Sequence, residues 1–582
     1  MVSHVHRFPL KSILIAFTTA DYHFEFPVDQ YDDVAQVSMF LGIVCSVIMG
    51  VSCQFGDLVM GILSIVLRLA FQRQGATSFV GTQIINVIPQ TIDTVLSKFN
   101  LDGQCTVYAV CPTCHCTYEP KFNLGSNIAV YPPRCSNKPN PDSDTCDEPL
   151  LQATPHNHPA TTKPIKTFVY HHFHDYLAGL LSCQDIEELM DRSCDNLMSS
   201  MKDGPPSLVQ DAFQAEFLRE FEGPVEGRLF VDRGNEGRYV FALNVDFFDA
   251  EGLTQRGART SCGIISCACL NLPLDIRYKP ENMYLSIIPG PREPKLTELN
   301  HYIRPLVNDF VISWERGVHF SKTATHASGR DIRSAIGPVV CDLPGARKVS
   351  QAAGISSHFY CTVCNCYHLT TLGHIDFDAA DWTPKDATEL HHHAEQWKNA
   401  PTAKDREKAF KLNGIWWSEL WRLPYWNPPR QLVVDSMHCL LEGLAQFHFC
   451  EVLNLTTASA NDKPDVEPAF HYPFRLPEEH EAASMSEKEL KQILGIHAFL
   501  ISPIDVDELC IEESLSLLTD KLLRSNLGPL SFVARNVGAV PATGQSVNNQ
   551  LGGSTPPGRI TKVRWANALV DWVGCVFTPH LI

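Results

Sequence analysis

Between Arg238 and Asp342 the chain spells out its strands and helices in one restrictive order. RYVFALNVDFF, residues 238–248, is β-prone and carries Asp246 close to the turn residues DAEG. TSCGIISCACLNL, residues 260–272, reads as a second strand, and NMYLSII, residues 282–288, as a third closed by PGPREP. LTELNHYIRPLVNDFVISWER, residues 296–316, repeats its apolar residues at helical spacing. A last β-prone run, Ile332 to Cys341, ends at Asp342 ahead of LPGARK. Three strands, a helix and a strand follow one another, with an acid at the end of the first strand and another at the end of the last.

This order begins an RNase H-like mixed α/β fold, in which the adjacent ends of the first and fourth strands bring two carboxylates together. Such a pair can hold two divalent ions roughly 3.5–4 Å apart, which activate an attacking oxygen and steady a leaving one in phosphoryl displacement. Carboxylate oxygens suit Mg²⁺ or Mn²⁺. The plainer alternative is that Asp246 and Asp342 are ordinary turn residues, since Asp is common there.

Bulk composition narrows the class. At 582 residues the chain has room for three to four domains. Its formal net charge of −18 excludes a histone-like protein held to DNA by overall charge, but not an enzyme with a local basic groove. Hydrophobic residues at 44% and charged residues at 19% exclude a disordered tail or coiled coil. The 21 cysteines are too dilute for a disulfide scaffold, and several stand in CxxC pairs, which favours an intracellular protein with metal sites.

The expected organisation is a helical region over 1–100 and a Cys-rich zinc region with linker over 101–160. A helical segment over 161–233 follows, then the first part of the core over 234–350. An insertion carrying a CxxC covers 351–430, a helix returns to the core over 431–455, and a truncated helical region fills 456–582. Near the N-terminus, Ser12 to Ala20 imitates a signal peptide weakly before Asp21. Val34 to Cys53 is an uncharged stretch of spanning length but holds several polar residues and glycines. With Leu58 to Phe71, which contains Arg68, it reads as two packed helices of a soluble protein joined near Gln54–Asp57, with no membrane partner.

Cysteine spacing supplies two candidate zinc sites. Cys111, Cys114, Cys135 and Cys146 combine a CxxC knuckle with two later thiols, enough for a tetrahedral structural Zn²⁺. Cys105, His115 and Cys116 are spare ligands. The second site starts from Cys361 and Cys364 in YCTVCNC, with Cys366 adjacent. His391, His392 and His393 follow one another on a helix and point in different directions, so they read as a solvated face. Trp416, Trp417, Trp421 and Trp426 could stack on unpaired bases, but core packing is the simpler reading.

The blocks NVDFFDAEG, NLPLDIRYKPENMYLSIIPGPREP, VVCDLPGARK, FYCTVC and VVDSMHCLLEGL resemble the transposase of CACTA (EnSpm-type) DNA transposons, in its fungal branch. The resemblance covers roughly residues 35 to 455. It implies a DDE-type enzyme with catalytic Mg²⁺ or Mn²⁺ and structural Zn²⁺. Water would cut a phosphodiester at the element end, and the freed 3′ hydroxyl would attack target DNA. Asp246 would be the first acid and Asp342 the second. For the third acid, Glu442 shares a helix face with His438, Glu451 is the other candidate, and either also reads as a helix-solvating residue. In related enzymes a CxxC pair joins distant histidines around zinc, which here would be Cys361, Cys364, His438 and His448. Asp435 would replace a histidine or simply cap the helix. Transposon-end and target DNA would be the partners, the nucleus the workplace, and a homo-oligomer is compatible with that role. The alternative is a catalytically inactive, transposase-derived protein that binds zinc and DNA, prompted by the unplaced third acid and the charge of −18.

Overall fold

The computed structural model describes residues 15–447 apart from 26, 74–78, 100–102, 124, 127, 154–161, 250–260, 368–382 and 436. Glu451, His448 and the region 456–582 lie outside the described residues.

Among the described residues, seven strands form the main sheet. They are β1 (Ala16–Thr18), β2 (Gly237–Asp249), β3 (Ser261–Cys269), β4 (Met283–Ile288), β5 (Val318–Phe320), β6 (Arg330–Cys341) and β7 (Leu432–Val434). β2, β3 and β4 form an antiparallel meander. β6 then pairs with β2 in parallel, and β7 with β6 in parallel. The order across the sheet is therefore β4-β3-β2-β6-β7. The start of β6 forms a hairpin with β5, to whose outer edge β1 adds in parallel.

Helices cover both faces of this sheet. On one side Phe173 and Leu177 of α3 (Phe173–Leu181) and Tyr302, Leu306 and Phe310 of α5 (Asn300–Glu315) pack on Tyr239, Phe241, Leu243 and Val245. On the other side Cys194 and Leu197 of α4 (Gln184–Ser200), with Phe221, Phe230 and Trp314, pack on Val240 and Ala242. A central strand covered on both faces is apolar at successive positions instead of alternate ones. RYVFALNV has that character.

At the start of β6 a buried ionic knot fastens strand to helix. Arg330 donates to Asp191 at 2.6 and 3.2 Å and lies 3.5 Å from Glu187, which is fully buried. Glu187 also accepts from the Thr323 hydroxyl and the Thr325 amide, each at 2.8 Å.

Several elements differ from the sequence expectation. The apolar run at Ser12 to Ala20 contributes edge strand β1. Residues 432–434, expected to open a helix, form β7, because Leu-Val-Val pairs with Val339–Cys341. The helical turn that follows covers Met437–Ala445. Phe168, expected in a helix, lies in a strand, Thr167–His171, paired with Cys105–Val110.

In the N-terminal part, α1 (Asp33–Ile43) and α2 (Cys53–Arg73) are separated around Gly50, whose φ of 62° ends the first helix earlier than Gln54–Asp57. Met39, Met60, Ile92 and Val95 form the small core there. Within α2, Cys53–Gln72 is long and apolar enough to cross a membrane, and only 17% of it is buried. Phe55, Leu58, Ile62 and Ile65 are exposed.

Candidate active site and metal-binding clusters

Parallel pairing puts the C-terminal ends of β2, β6 and β7 at one edge of the sheet. Open α/β sheets place their ligands outside the carboxyl ends of strands. Asp246 lies in β2, three residues before its last, and Asp342 directly follows β6. Asp435 directly follows β7, where its amide donates to the Cys341 carbonyl at 2.7 Å. All three side chains are half-buried.

Cys341 marks the point of convergence. Burial pushes its thiol up to about 12, and the charges of Asp342, Asp246 and Asp435 push the same way. The Val245 amide donates to its sulfur at 3.4 Å.

Backbone amides orient each carboxylate. Asp246 Oδ1 accepts from the Phe247 amide at 2.8 Å. Asp342 is the N-cap of α6 (Leu343–Ser350) and accepts from Gly345 at 2.6 Å through Oδ1. Neither Oδ2 is hydrogen-bonded to another described residue. Gly345 permits this close cap: a Cβ there would stand 2.5 Å from Asp342 Oδ1 and 3.2 Å from the Val245 carbonyl. Asp435 accepts from the Met437 amide at 3.0 Å through Oδ1 and meets His438 Nδ1 at 2.5 Å through Oδ2.

The four thiols at 111, 114, 135 and 146 come together in a loop-rich fold. The Sγ atoms of Cys111 and Cys146 are 3.7 Å apart, and those of Cys114 and Cys135 are 3.5 Å apart. A tetrahedron with bonds of about 2.3 Å has edges of about 3.8 Å. The group could therefore hold a metal ion such as zinc. Burial pushes the Cys111 thiol up to about 11. Burial also acts to raise Cys135, but hydrogen bonds from Tyr118, the Asn137 amide and neighbouring thiols hold it below its ordinary value. His115, a spare ligand by sequence, turns away to meet Tyr302 Oη at 2.7 Å. Cys105 and Cys116 stay outside the group.

Cys361, Cys364 and Cys366 form a second group with ligand atoms within 4.8 Å of one another. Both CxxC turns make the same internal contact: the amide of the second cysteine donates to the first sulfur, at 3.5 Å for Cys114 and 3.2 Å for Cys364. Cys366 thus joins Cys361 and Cys364 where the sequence points to distant histidines. His438 is not among the ligand atoms of this group, and its Nδ1 faces Asp435. Lys385 donates to the Cys361 carbonyl at 2.6 Å, and Arg347 of α6 donates to the Tyr360 carbonyl at 2.8 Å. The knuckle is thereby fastened to the helix that begins at Asp342.

Among the described residues, no third set of such ligand atoms gathers within 4.8 Å, so the carboxylate edge is more open than either thiol group. The backbone of Glu442 lies in the turn Met437–Ala445; its side chain is outside what is described. Asp435 is the acid at this edge that the sequence alone did not place beside Asp342. Its signal is a β-branched run ending in Asp, as in the other two acid-bearing strands, but shortened to VVD.

The other sequence candidates are structural in their surroundings. Trp417, Trp421 and Trp426 are buried in the main core, and Trp416 stacks on Phe410 at 3.6 Å. His391 lies on the helix Ala387–Asn399 and stacks on Trp421 at 4.9 Å.

Residues 241–377 match the family model for transposase family tnp2. The match includes Asp246, Asp342 and the second cysteine group, and ends before Asp435. It gives this segment a transposase-like character, with DNA as the partner the family implies. No curated protein matches the chain.

Proposed function

We propose that this chain is a DDE-type transposase of the CACTA kind, which cuts and joins DNA at the carboxylate edge of an RNase H-like sheet. The observation that carries this reading is the arrival of Asp246, Asp342 and Asp435 at the C-terminal ends of three neighbouring parallel strands. The order β4-β3-β2-β6-β7, with α5 between β4 and the later strands, supports it. The family match over two of the acids supports it as well.

The residues fit hard divalent ions. Asp246 and Asp342 each spend one oxygen on a backbone amide and leave Oδ2 available. Oxygen donors of this type suit Mg²⁺ or Mn²⁺. Asp246 and Asp342 would hold the ions, with Asp435 as the third acid on the edge. Bound there, the ions would activate the attacking oxygen and stabilise the leaving one. The chain's own work is orientation: the amides of Phe247 and Gly345 fix two carboxylates, and His438 fixes the third. Both cysteine groups, loaded with zinc, would hold loops against the sheet. Nuclear action and recognition of transposon ends belong to the same proposal.

The test is Mn²⁺-dependent nicking of supercoiled plasmid by the purified full chain, beside Asp246→Asn and Asp342→Asn. Nicking by the parent and not by the variants supports the reading. Equal nicking by all three sinks it. If no form nicks while the parent still binds duplex, the chain is a non-cutting DNA-binding relative.

A further inference from the structure

A ridge of cations runs from the first thiol group to the carboxylate edge, in a chain whose formal charge is −18. Arg292, in the loop after β4, donates to the Thr113 carbonyl inside the CPTC turn at 2.6 Å. Lys166 lies beside the same turn, since its carbonyl accepts the amide of Val110, the residue before Cys111. Lys348, on the helix capped by Asp342, stands 4.0 Å over the ring of Phe247, the neighbour of Asp246. That ring is held in turn across Gly263, where a Cβ would come within 2.6 Å of it. The three cations sit on separate elements, and Lys348, with its side chain 14% exposed, reaches Glu293, the residue after Arg292.

The ridge is only partly neutralised. Glu298 takes Arg292 and the Lys295 amide, and Glu293 takes Lys348. Lys166 has no ion-pair partner among the described residues. Burial and the neighbouring Arg292 lower its pKa to about 8, against an opposing pull from Glu298 and Cys111.

We infer that Lys166, Arg292 and Lys348 form the track on which a DNA phosphate backbone lies as it enters the carboxylate edge. This rests on the proposed function, and it adds where the duplex is held. Fixed cations on a rigid surface position a backbone without reading its sequence. A track of this kind also explains how so acidic a chain meets a polyanion: the attraction is local.

The experiment is a fluorescence-anisotropy titration of the full chain with a labelled duplex of arbitrary sequence, at a series of NaCl concentrations. No Mg²⁺ or Mn²⁺ is added, so that binding is read without cutting. Lys166→Gln and Lys348→Gln are compared with the parent, and Lys411→Gln, an exposed lysine on the helix Ala403–Asn413 outside the ridge, serves as the control. Each ridge variant should bind about three- to tenfold more weakly, with the slope of log K against log[NaCl] reduced by about 0.9 for each phosphate no longer neutralised. Arg292→Lys keeps the charge and should keep the parent's salt slope. Zinc content and melting temperature equal to the parent's show that a weaker variant is folded. If Lys166→Gln and Lys348→Gln bind with the parent's affinity and slope, the track is overturned while DNA binding stands. If the parent itself does not bind duplex, the proposed function falls with it.

Discussion

The amide of Asp435 donates to the carbonyl of Cys341 at 2.7 Å, which places one acid beside the residue that leads into another, Asp342. Ninety-odd residues separate them along the chain. The parallel pairing of β7 with β6 brings them together, and β6 pairs in turn with the strand carrying Asp246.

If that juxtaposition serves catalysis, Asp435→Asn should lower Mn²⁺-dependent nicking by roughly 100-fold or more, because even outer-shell partners of a metal are worth about 10–100-fold. His438→Ala, which removes only the partner of Asp435, should cost about 10–100-fold by the same rule. Melting temperatures close to the parent's would separate these losses from unfolding. Full activity in Asp435→Asn would remove this acid from the site.

Gly345→Ala tests the cap geometry. A Cβ would stand 2.5 Å from Asp342 Oδ1, so the carboxylate or the helix must shift. Nicking should fall at least about tenfold, since positioning errors of an ångström can cost about 100-fold. The readout is initial nicking rate at saturating Mn²⁺.

The first thiol group should bind zinc more tightly as pH rises. Burial holds the metal-free Cys111 thiol protonated, up to about 11, and a metal-bound sulfur must be a thiolate. Each proton released on binding should raise the apparent affinity about tenfold per pH unit below the thiol's pKa. Competition against a chromophoric chelator between about pH 6 and 8 measures this, because binding releases protons. Cys135→Ser should lose the ion and lower the melting temperature, whereas Cys116→Ser should keep both.

Two desolvated histidines, buried His115 and half-buried His301, predict acid lability. Burial pushes His301 down to about 4 and His115 down to about 3. The unfolded chain binds their protons below about 6.5. Between that pH and the folded values the unfolded state holds more protons, so stability falls as pH falls, by up to roughly 1.4 kcal/mol per pH unit for each histidine. Denaturant unfolding from pH 7 to 4 should show this slope. His115→Gln, which removes one titrating ring, should flatten it.

The Arg330 knot should be the costliest to break. Arg330→Ala leaves Glu187 buried with no adjacent guanidinium, at a cost of about 3–5 kcal/mol. Urea midpoints measure it. A loss below about 1 kcal/mol would mean that water replaces the cation.

What the sequence determined by itself was local. Continuous apolar runs such as RYVFALNV made buried strands legible, because a strand covered on both faces has nothing polar to alternate with. The knuckle CPTC announced a thiol group, since chelation from one tight turn is a short-range property of spacing. Tertiary structure decided what depends on pairing between distant segments. Three residues, Leu432 to Val434, are too few to signal a strand beside a helical turn. They become one only because Val339 to Cys341 offers an open edge, and that pairing delivers Asp435 to Asp342. In the same way the sequence could not say that Cys366 stands with Cys361 and Cys364, or that His438 Nδ1 faces Asp435. Spacing names the groups able to act, and the register of the sheet selects which of them meet.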